Sequence, residues 1–418
     1  MGASSLVGAR DWRALTIIAA LGVLNGVLGP PPGATAASGI VIGWGQDTEG
    51  QADPPPGLSG VTAVAGGLLH SLALEEGGTV VAWGGDDFGE THVPPGLSNV
   101  VAISARAQYS LALRDDGTVI GWGDDSEGQT DVPPGLSNAK AIAAGGFHAL
   151  ALKEDGTVVG WGNDVLGQTD VPPGLSHVIA IAAGWFTTFA LKSDGTVVAW
   201  GRNDYGITHV PPGLSGVTAI AAGDFFVLAL KEDGTVVGWG DNTHGQTDVP
   251  SGLRHVTAIA AGGFHSLALK ADGTVEAWGD NLTGQTKVPP GLTGVTAIAA
   301  GKGHNLVVTA GPPEKCTVDG TASSDDLHAA RGQDRACGHQ GDDAVFGGPG
   351  RDVVYGNRGD DVVVGGPGRD ELLGGDGSDV LRARDGITGE RLSAGHGDDR
   401  CRIDPGDSTR NCEQVVRD

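Results

Sequence analysis

A pattern of small hydrophobic residues, glycine and tryptophan repeats along the chain from about residue 40 to residue 311. Each copy carries a Trp-Gly pair, and every gap between the pairs is 39 residues. The tryptophans are Trp44, Trp83, Trp122, Trp161, Trp200, Trp239 and Trp278. Within a copy, Ala-Ile-Ala-Ala and Leu-Ala-Leu runs alternate with turn residues, and Asp-Gly after Leu-Ala-Leu indicates a hairpin with a two-residue turn. Because Pro-Pro-Gly-Leu cannot lie inside a sheet, each copy predicts three or four short antiparallel strands.

Repeats of about 40 residues with several strands are typical of β-propellers. Seven copies predict a seven-bladed β-propeller over 37–311 in an all-β protein. The last copy ends at 305–309 without its own Trp-Gly strand, and residues 40–45 supply one. We therefore expect the N-terminal strand to complete the last blade and close the ring, which removes exposed sheet edges.

The period changes to nine after a Pro-rich linker at 312–319. Units at 347–355, 356–364, 365–373 and 374–382 keep the same phase, and weaker units extend it back to 320. The unit Gly-Gly-x-Gly-x-Asp-x-apolar-x resembles the repeats-in-toxin (hemolysin-type) calcium-binding nonapeptide. The resemblance implies a short parallel β-roll over 320–382. Its expected core is the apolar eighth residue of each unit, namely Val345, Val354, Val363, Leu372 and Leu381.

The composition of this nonapeptide explains how it would bind Ca²⁺, the expected cofactor. Glycines allow a tight turn whose carbonyls face a cation, and aspartate adds the hard anionic oxygen that Ca²⁺ prefers. The candidate metal-binding residues are Asp343, Asp352, Asp361, Asp370 and Asp379, with Gly347, Gly350, Gly356, Gly359, Gly365 and Gly368. Asp325 and Asp334 are in phase, but Ser323 and Ala329 replace glycines, so we expect few or no sites there. A flexible glycine-rich tail is the alternative, although a tail need not keep its phase.

Without calcium we expect the roll to be largely unfolded, because its acids repel and its thin core does not offset chain entropy. The phase is lost at 383, so 383–418 is predicted to be an irregular C-terminal cap.

The first 36 residues have the features of a secretory signal peptide. Arg10 and Arg13 precede an apolar stretch at 14–28, and Ala34-Thr35-Ala36 follows, so cleavage is expected after Ala36. An uncleaved membrane anchor is the alternative, but the stretch is short for a spanning helix. We expect a secreted, extracellular or cell-surface protein with no membrane span after cleavage.

The composition agrees with export and argues against a nucleic-acid partner. Of 418 residues 74 are glycine, and the formal net charge of −25 would repel a phosphate backbone. The four cysteines all lie in the C-terminal quarter, where an oxidising compartment would favour two disulfides. Cys316–Cys337 and Cys401–Cys412 are the favoured pairs as sequence neighbours, but four cysteines allow three connectivities.

The longer repeat resembles a known propeller family. Ala-Ile-Ala-Ala-Gly-x-Phe-His-x-Leu-Ala-Leu-Lys-x-Asp-Gly-Thr-Val-x-x-Trp-Gly is similar to the regulator of chromosome condensation repeat, over about 270 residues. The compact unit at 239–250 is most similar to a secreted bacterial subgroup that includes the propeller-type β-lactamase inhibitory protein. This resemblance implies an extracellular protein partner, and a penicillin-recognising serine enzyme is the most concrete one.

Two variable loops of the propeller repeat hold most of its aromatic residues, which can act as anchors for a protein partner. The candidate contact residues are Phe88, Trp185, Phe186, Tyr205 and Phe225. The alternative for the phenylalanines 25 residues after each tryptophan, among them Phe186 and Phe225, is burial at the blade ends. The repeated histidines are predicted to be packed, hydrogen-bonded core residues; they are His70, His148, His265 and His304.

The sequence favours a non-enzymatic protein-binding propeller with a calcium-stabilised β-roll. Neither Gly-x-Ser-x-Gly nor His-Glu-x-x-His occurs, and no carboxylate pair stands outside the periodic pattern. Two alternatives remain: a calcium-dependent cell-surface or adhesion module, and a propeller enzyme acting on an extracellular polymer. A binding module needs a contiguous aromatic patch on one face, whereas an enzyme needs a pocket with converging acids at the ring axis.

Overall fold

The computed structural model describes residues 39–417 except 56, 57, 59, 290, 291, 310–315, 322, 384 and 411. The predicted signal peptide at 1–36 and most of the predicted linker lie outside the described residues. Within the described ranges the protein is all-β, and its one helical element is a three-residue 3₁₀ turn at Asp204–Gly206. No helix of this part is long and apolar enough to cross a membrane.

The 39-residue repeats fold into seven three-stranded antiparallel sheets within the described chain. The inner strands are β2 (Val61–Gly66), β5 (Val100–Arg106), β8 (Ala139–Ala144), β11 (Val178–Ala183), β14 (Val217–Ala222), β17 (Val256–Ala261) and β20 (Val295–Ala300). The middle strands are β3 (His70–Glu75), β6 (Tyr109–Arg114), β9 (His148–Lys153), β12 (Thr187–Lys192), β15 (Phe226–Lys231), β18 (His265–Lys270) and β21 (His304–Thr309). The outer strands are β1 (Ile40–Gly45), β4 (Val80–Gly84), β7 (Val119–Gly123), β10 (Val158–Gly162), β13 (Val197–Gly201), β16 (Val236–Gly240) and β19 (Val275–Gly279).

The seven sheets form a closed ring of blades. Each inner strand contacts the inner strand of the next sheet, and β20 contacts β2. The predicted closure is confirmed, because β1 pairs antiparallel with β21, from Ile40 opposite Thr309 to Gly45 opposite His304. Closure at this strand leaves the last blade with the same three strands as the others.

The tryptophan and histidine that recur in the repeat form hydrogen bonds to neighbouring repeats. The indole Nε1 of Trp161 donates to the carbonyl of Gln129 in the preceding repeat at 3.0 Å, and Trp83 and Trp122 make equivalent bonds. His148 Nε2 lies 3.0 Å from Thr188 Oγ1 of the next blade. As predicted, the four repeated histidines are fully buried and hydrogen-bonded.

The Asp-Gly hairpins exist, but their turns are longer than the two residues predicted. Lys153 N donates to Thr157 O, so three residues lie between the closing pair. Gly156 has a φ of +81°, which explains why glycine follows the aspartate. Asp155 Oδ1 accepts from the amide of Thr157 and fixes the turn.

The nonapeptide repeats form a parallel β-roll of two six-stranded sheets. One contains β22 (Val318–Asp319), β24 (Arg335–Gln340), β26 (Val353–Arg358), β28 (Glu371–Asp376), β30 (Arg391–His396) and β32 (Ser408–Arg410). The other contains β23 (Asp326–His328), β25 (Ala344–Phe346), β27 (Val362–Val364), β29 (Val380–Ala383), β31 (Arg400–Ile403) and β33 (Gln414–Arg417). Val354 pairs with Leu372, so one coil spans two nonapeptides. All five predicted core residues are fully buried between the sheets.

The roll continues beyond 382 to β33, which ends at Arg417, so the prediction of an irregular cap over 383–418 is wrong. Strands β30 to β33 extend both sheets, with Leu392 and Cys401 in the core. Leu372 pairs with Leu392 instead of with a residue 18 positions on, because the chain between Ala383 and Arg391 is two residues longer than the repeat requires. An insertion in a loop destroys the sequence phase while leaving strand pairing intact. At the other end, β22 begins at Val318, inside the predicted linker.

Two disulfides cross-link the ends of this roll, and their pairings are those that the sequence analysis favoured. Cys316 is joined to Cys337, and Cys401 is joined to Cys412. The described residues contain no free cysteine.

Candidate calcium sites and aromatic face

The predicted metal-binding aspartates form two rows along the edges of the roll. Each aspartate ends a loop just before a strand, and one carboxylate oxygen accepts an amide from the coil before it. Asp343 N donates to Asp361 Oδ1 at 2.8 Å, and Asp361 N donates to Asp379 Oδ1 at 2.9 Å. On the opposite edge, Asp352 N donates to Asp370 Oδ1 at 2.8 Å. The coil repeat therefore fixes the position of every carboxylate with one of its two oxygens.

Four of the second carboxylate oxygens are buried and are reached by no donor of the described residues. They are the Oδ2 atoms of Asp343, Asp352, Asp361 and Asp370. The side chains themselves are almost completely buried. A buried anionic oxygen without a partner is strongly unfavourable unless a cation or a proton compensates it.

The predicted glycines make room at these oxygens and between the coils. A Cβ atom on Gly356 or Gly365 would overlap the Oδ2 atom of Asp361 or Asp370, and one on Gly347 would crowd Asp352. The glycines later in the unit have a different task. A Cβ atom on Gly350, Gly359 or Gly368 would overlap a glycine carbonyl of the preceding coil. The glycines therefore keep open the space beside each carboxylate and allow coil carbonyls to approach one another.

Burial disfavours the charged form of these aspartates when no cation is present. It raises the pKa of Asp352 and Asp361 to about 7 and that of Asp370 to about 8, and carboxylates in the same row add to the effect. The pKa of Asp343 is also raised by burial. Unpartnered buried oxygens and glycine-lined space are what a hard cation with oxygen ligands requires, so these residues fit Ca²⁺.

The degenerate start of the roll lacks this arrangement at Asp325. Its Oδ2 accepts the amide of Thr321 at 2.6 Å and the hydroxyl of the same residue at 2.9 Å. The carboxylate is thus occupied by the protein itself. Asp325 therefore agrees with the expectation of few or no sites in the degenerate units, whereas Asp334 has a buried Oδ2 atom that no donor of the described residues reaches. Beyond the predicted range, Asp399 continues the row, because its Oδ1 accepts the amide of Asp379 at 2.8 Å.

Four of the five candidate contact residues of the propeller belong to two groups of rings joined by Arg202, which together we call the aromatic arc. Its members are Phe147, Trp185, Phe186, Arg202, Tyr205, Phe225, His244 and Phe264. Trp185 meets Phe147 edge-on with centroids 5.4 Å apart, and Phe147 stacks on Phe186 at 5.5 Å. Phe225 lies 5.9 Å from Tyr205 and 6.5 Å from Phe264.

Arg202 joins the two halves of the aromatic arc. Its Cζ lies 5.5 Å from the Phe186 centroid and 5.4 Å from the Phe225 centroid. The guanidinium is also paired with Asp204, which holds it between the rings. Lys302 adds a second cation, 5.0 Å from the Trp185 ring. Cations over aromatic faces are attracted by the ring quadrupole.

The members of the aromatic arc differ in exposure. The phenylalanines and Trp185 are half-buried. The repeated phenylalanines are therefore neither fully buried at the blade ends nor fully exposed to solvent. Tyr205 is 60% exposed and has a φ of +60°, a conformation that is strained for a non-glycine residue. Phe88 is 49% exposed, but no ring contact joins it to the arc in the described structure.

A buried ion pair crosses the middle of the ring. Arg106 of the second blade donates from Nη2 to Asp224 Oδ1 of the fifth blade at 2.7 Å, and from Nη1 to Ala222 O at 3.2 Å. Because these blades are not neighbours, the contact must pass across the centre. Both side chains are nearly inaccessible. Sequence reasoning missed this pair, although Ser104-Ala105-Arg106 breaks the Ala-Ile-Ala-Ala-Gly pattern.

Comparisons with known proteins identify both repeats. The model of the regulator of chromosome condensation (RCC1) repeat matches 61–90, 100–129, 139–168, 178–207, 217–246 and 256–285. The model of the RTX calcium-binding nonapeptide repeat matches 319–354 and 355–387. The chain thus contains six recognised RCC1 repeats followed by RTX repeats. No curated protein matches the sequence.

Solved structures support the propeller fold. Prp20p from Saccharomyces cerevisiae is 20% identical with a TM-score of 0.56, covering 67% of this chain and 92% of its own. Yeast RCC1 (Prp20) bound by Kap60 is 19% identical with a TM-score of 0.57, covering 73% and 96%. Human WBSCR16 is 17% identical with a TM-score of 0.52, covering 65% and 99%. At these identities the likeness shows the fold alone.

The two families together indicate a protein-binding module that uses calcium. RTX repeats are also typical of extracellular proteins.

Proposed function

We propose that this chain is a secreted, non-enzymatic protein-binding propeller whose contact surface is the aromatic arc, and whose β-roll is held in its folded form by calcium. The observation that carries the proposal is the continuity of the arc. Rings from four consecutive repeats form two groups that touch internally, Arg202 bridges the groups, and the exposed Tyr205 lies among them. Packing of a blade core would not by itself require aromatic residues at equivalent positions of the variable loops in successive repeats.

The chemistry of the arc is that of a protein interface. Tryptophan, tyrosine and arginine dominate the binding energy of interfaces, where they act as rigid anchors surrounded by less important contacts. Arg202 is held by two rings and one carboxylate, so little side-chain entropy is lost when a partner covers it. The partner expected from this surface is a folded protein with an apolar or aromatic projection.

The centre of the ring supports a binding role over catalysis. An enzyme acting at the axis needs converging carboxylates with access to substrate. Here Asp224 is neutralised by Arg106, and both side chains are buried. A cleft of about 440 Å³ lies instead between neighbouring loops near Arg254 and Glu276, away from the ion pair. A propeller enzyme acting on an extracellular polymer is therefore the less favoured function.

The β-roll supports an extracellular location. Disulfides persist in oxidising compartments, and millimolar calcium outside cells suits weak calcium modules. Asp343, Asp352, Asp361, Asp370 and Asp379 would hold the ions together with glycine carbonyls. Bound calcium would supply charge neutralisation, while the chain supplies fixed oxygens and space for the ions.

A penicillin-recognising serine enzyme is the first partner to test, and it rests only on the resemblance of the repeat at 239–250 to the secreted inhibitor-like subgroup. The mature chain is titrated against purified class A β-lactamases and penicillin-binding proteins, in calcium and in chelator, by calorimetry. Saturable binding of one partner per chain would support the proposal. If no enzyme binds, this partner is excluded, and the cell-surface adhesion alternative becomes the leading one.

A further inference from the structure

A second kind of acidic site lies where the nonapeptide phase breaks. The loop at 384–390 connects β29 to β30, and the loop at 404–407 connects β31 to β32 one coil later. They bring together Asp385, Glu390 and Asp404, and one oxygen from each of these carboxylates lies within 4.8 Å of the other two. None of the three belongs to a Gly-Gly-x-Gly-x-Asp unit.

Glu390 is the residue that requires an explanation. Its side chain is completely buried, and no donor of the described residues reaches either of its carboxylate oxygens. It stands in the row at the position that follows Asp370, since Glu371 pairs with Arg391. No ion pair to Glu390 occurs in the part of the chain that the structure describes. Arg369 is directed elsewhere, because its Nε donates to the carbonyl of Thr388 at 3.0 Å.

The surrounding carboxylates are fixed by the backbone. Asp404 Oδ2 accepts the amides of Asp385 at 3.0 Å and Gly386 at 2.7 Å. Asp385 accepts from Gly368 and Ile387, both within 2.8 Å. Asp407 accepts the amide of Glu390 and, with its other oxygen, that of Asp404. These bonds hold four acidic groups around one small volume, an arrangement that repels itself unless a positive charge is present.

We propose that Asp385, Glu390 and Asp404 bind one further Ca²⁺ ion, distinct from those of the nonapeptide rows. Ca²⁺ takes oxygen ligands at roughly 2.3–2.6 Å, so two of its ligand oxygens lie at most about 5 Å apart. The 4.8 Å limit for the three carboxylates agrees with that spacing. The two-residue insertion lies before Glu390, and a glutamate stands one coil after Asp370 in place of the aspartate of the repeat.

The ion would join two successive coils at the point where the glycine-aspartate pattern ends. Asp385 and Glu390 come from one coil, and Asp404 comes from the next. Through this bridge the last coils, β30 to β33, would become as dependent on calcium as the nonapeptide coils.

The test counts Ca²⁺ ions bound per full-length chain by equilibrium dialysis at neutral pH. Glu390→Gln keeps the shape of the side chain and can donate to the neighbouring carboxylates, so we expect it to fold and to bind one equivalent less than the unchanged protein. Glu371→Gln is the matched control, because Glu371 is exposed in the adjacent coil; it should bind the full number. Asp404→Asn should lose the same single equivalent as Glu390→Gln.

Hydrogen exchange gives a second measurement that is independent of ion counting. In the unchanged protein, calcium should slow amide exchange at 385–407, and Glu390→Gln should abolish that slowing there while retaining it at 344–364. Equal calcium numbers in Glu390→Gln and the unchanged protein would overturn the proposal and indicate that Glu390 shares a proton with a neighbouring acid. Asp361→Asn distinguishes the two kinds of site. If Asp361→Asn binds less calcium while Glu390→Gln binds the full number, the nonapeptide sites stand and only the additional site at Glu390 is refuted.

Discussion

At the scale of single residues, the main result is that four of the predicted aspartates, Asp343, Asp352, Asp361 and Asp370, use their two carboxylate oxygens differently. One oxygen accepts a backbone amide of the preceding coil, and the other is buried and is reached by no donor of the described residues. A structural role alone would leave the second oxygen exposed or hydrogen-bonded. The same side chain thus connects fold and function, because the ligand atom is positioned by the bond that defines the coil.

Replacing Asp361 by asparagine should remove a calcium site while preserving the coil. The asparagine Oδ1 still accepts the amide of Asp343, but its amide group no longer offers an anionic oxygen to the ion. We expect the affinity at that position to fall at least about tenfold, which corresponds to about 1.4 kcal/mol. Calorimetric titration with calcium measures the change. Asp360→Asn is the control, because Asp360 is exposed and adjacent; an equal loss there would contradict the assignment.

At the scale of elements, the sequence predicted what is periodic. Spacing alone predicted the 39-residue blades and the buried eighth position of each nonapeptide. It also predicted that the N-terminal strand Ile40–Gly45 completes the last blade. What it did not predict depends on contacts between repeats. The continuation of the roll through β30–β33 was missed because a two-residue insertion removes the phase without removing the pairing. Glu390 was missed for the same reason, although an acid 20 residues after Asp370 was the available signal.

Ring closure can be tested at the closing strand. Trp44 is buried in β1, and its indole donates to Gln285 O at 3.0 Å. Trp44→Ala should destabilise the propeller by roughly 3–5 kcal/mol, because it leaves a cavity and an unpaired carbonyl in the closing blade. Thermal unfolding measures the shift. Leu282→Ala, at a side chain that is 85% exposed, should change stability by less than about 0.5 kcal/mol. A Trp44→Ala protein as stable as Leu282→Ala would argue against closure by this strand.

The two repeat regions should respond to pH in opposite directions when calcium is absent. Burial lowers the pKa of His70 and His265 to about 4 and that of His148 and His304 to about 3. As the pH falls below about 6.5, the unfolded chain gains these protons before the folded chain does, so the propeller loses stability.

The roll has the reverse dependence, since its aspartates have raised pKa values of about 7 to 8 when folded. As the pH rises from about 4 to 8, the unfolded chain ionises first, and the calcium-free roll loses stability. In chelator, the melting temperature of the propeller should therefore fall between pH 8 and pH 5, whereas the roll, largely unfolded at pH 8, should gain β-structure over the same range in circular dichroism. A roll that gains no structure as the pH falls, or a propeller whose melting temperature rises, would contradict the buried-group assignment.

At the scale of the whole molecule, the account assigns separate tasks to the two repeat regions. The propeller is closed by the pairing of β1 with β21, so its face forms without an ion, while the proposal makes folding of the roll depend on calcium. Which aromatic residues would meet could not be predicted from the sequence, because the arc joins side chains from different repeats and Arg202 connects them. The exposed Phe88 matches the same loop pattern and yet lies apart from the arc.

This difference provides a matched pair for mapping the binding face. When a protein partner has been identified, Tyr205→Ala should weaken the affinity of the chain for that partner at least about tenfold, because an exposed aromatic anchor within the arc is lost. Phe88→Ala removes an aromatic side chain of similar exposure, 49% against 60% for Tyr205, outside the arc and should leave the affinity unchanged. Surface plasmon resonance on both variants measures the two effects. The reverse order of effects would move the binding face to the loop of Phe88.

The most direct measurement of the whole account is hydrogen exchange by mass spectrometry on the full chain, in chelator and in millimolar calcium. We expect calcium to slow exchange strongly in the nonapeptide coils at 344–383, while the propeller strands at 61–309 exchange equally slowly in both conditions. A roll that is fully protected in chelator, or propeller strands that become protected only with calcium, would contradict the account of a preformed propeller joined to a calcium-dependent β-roll.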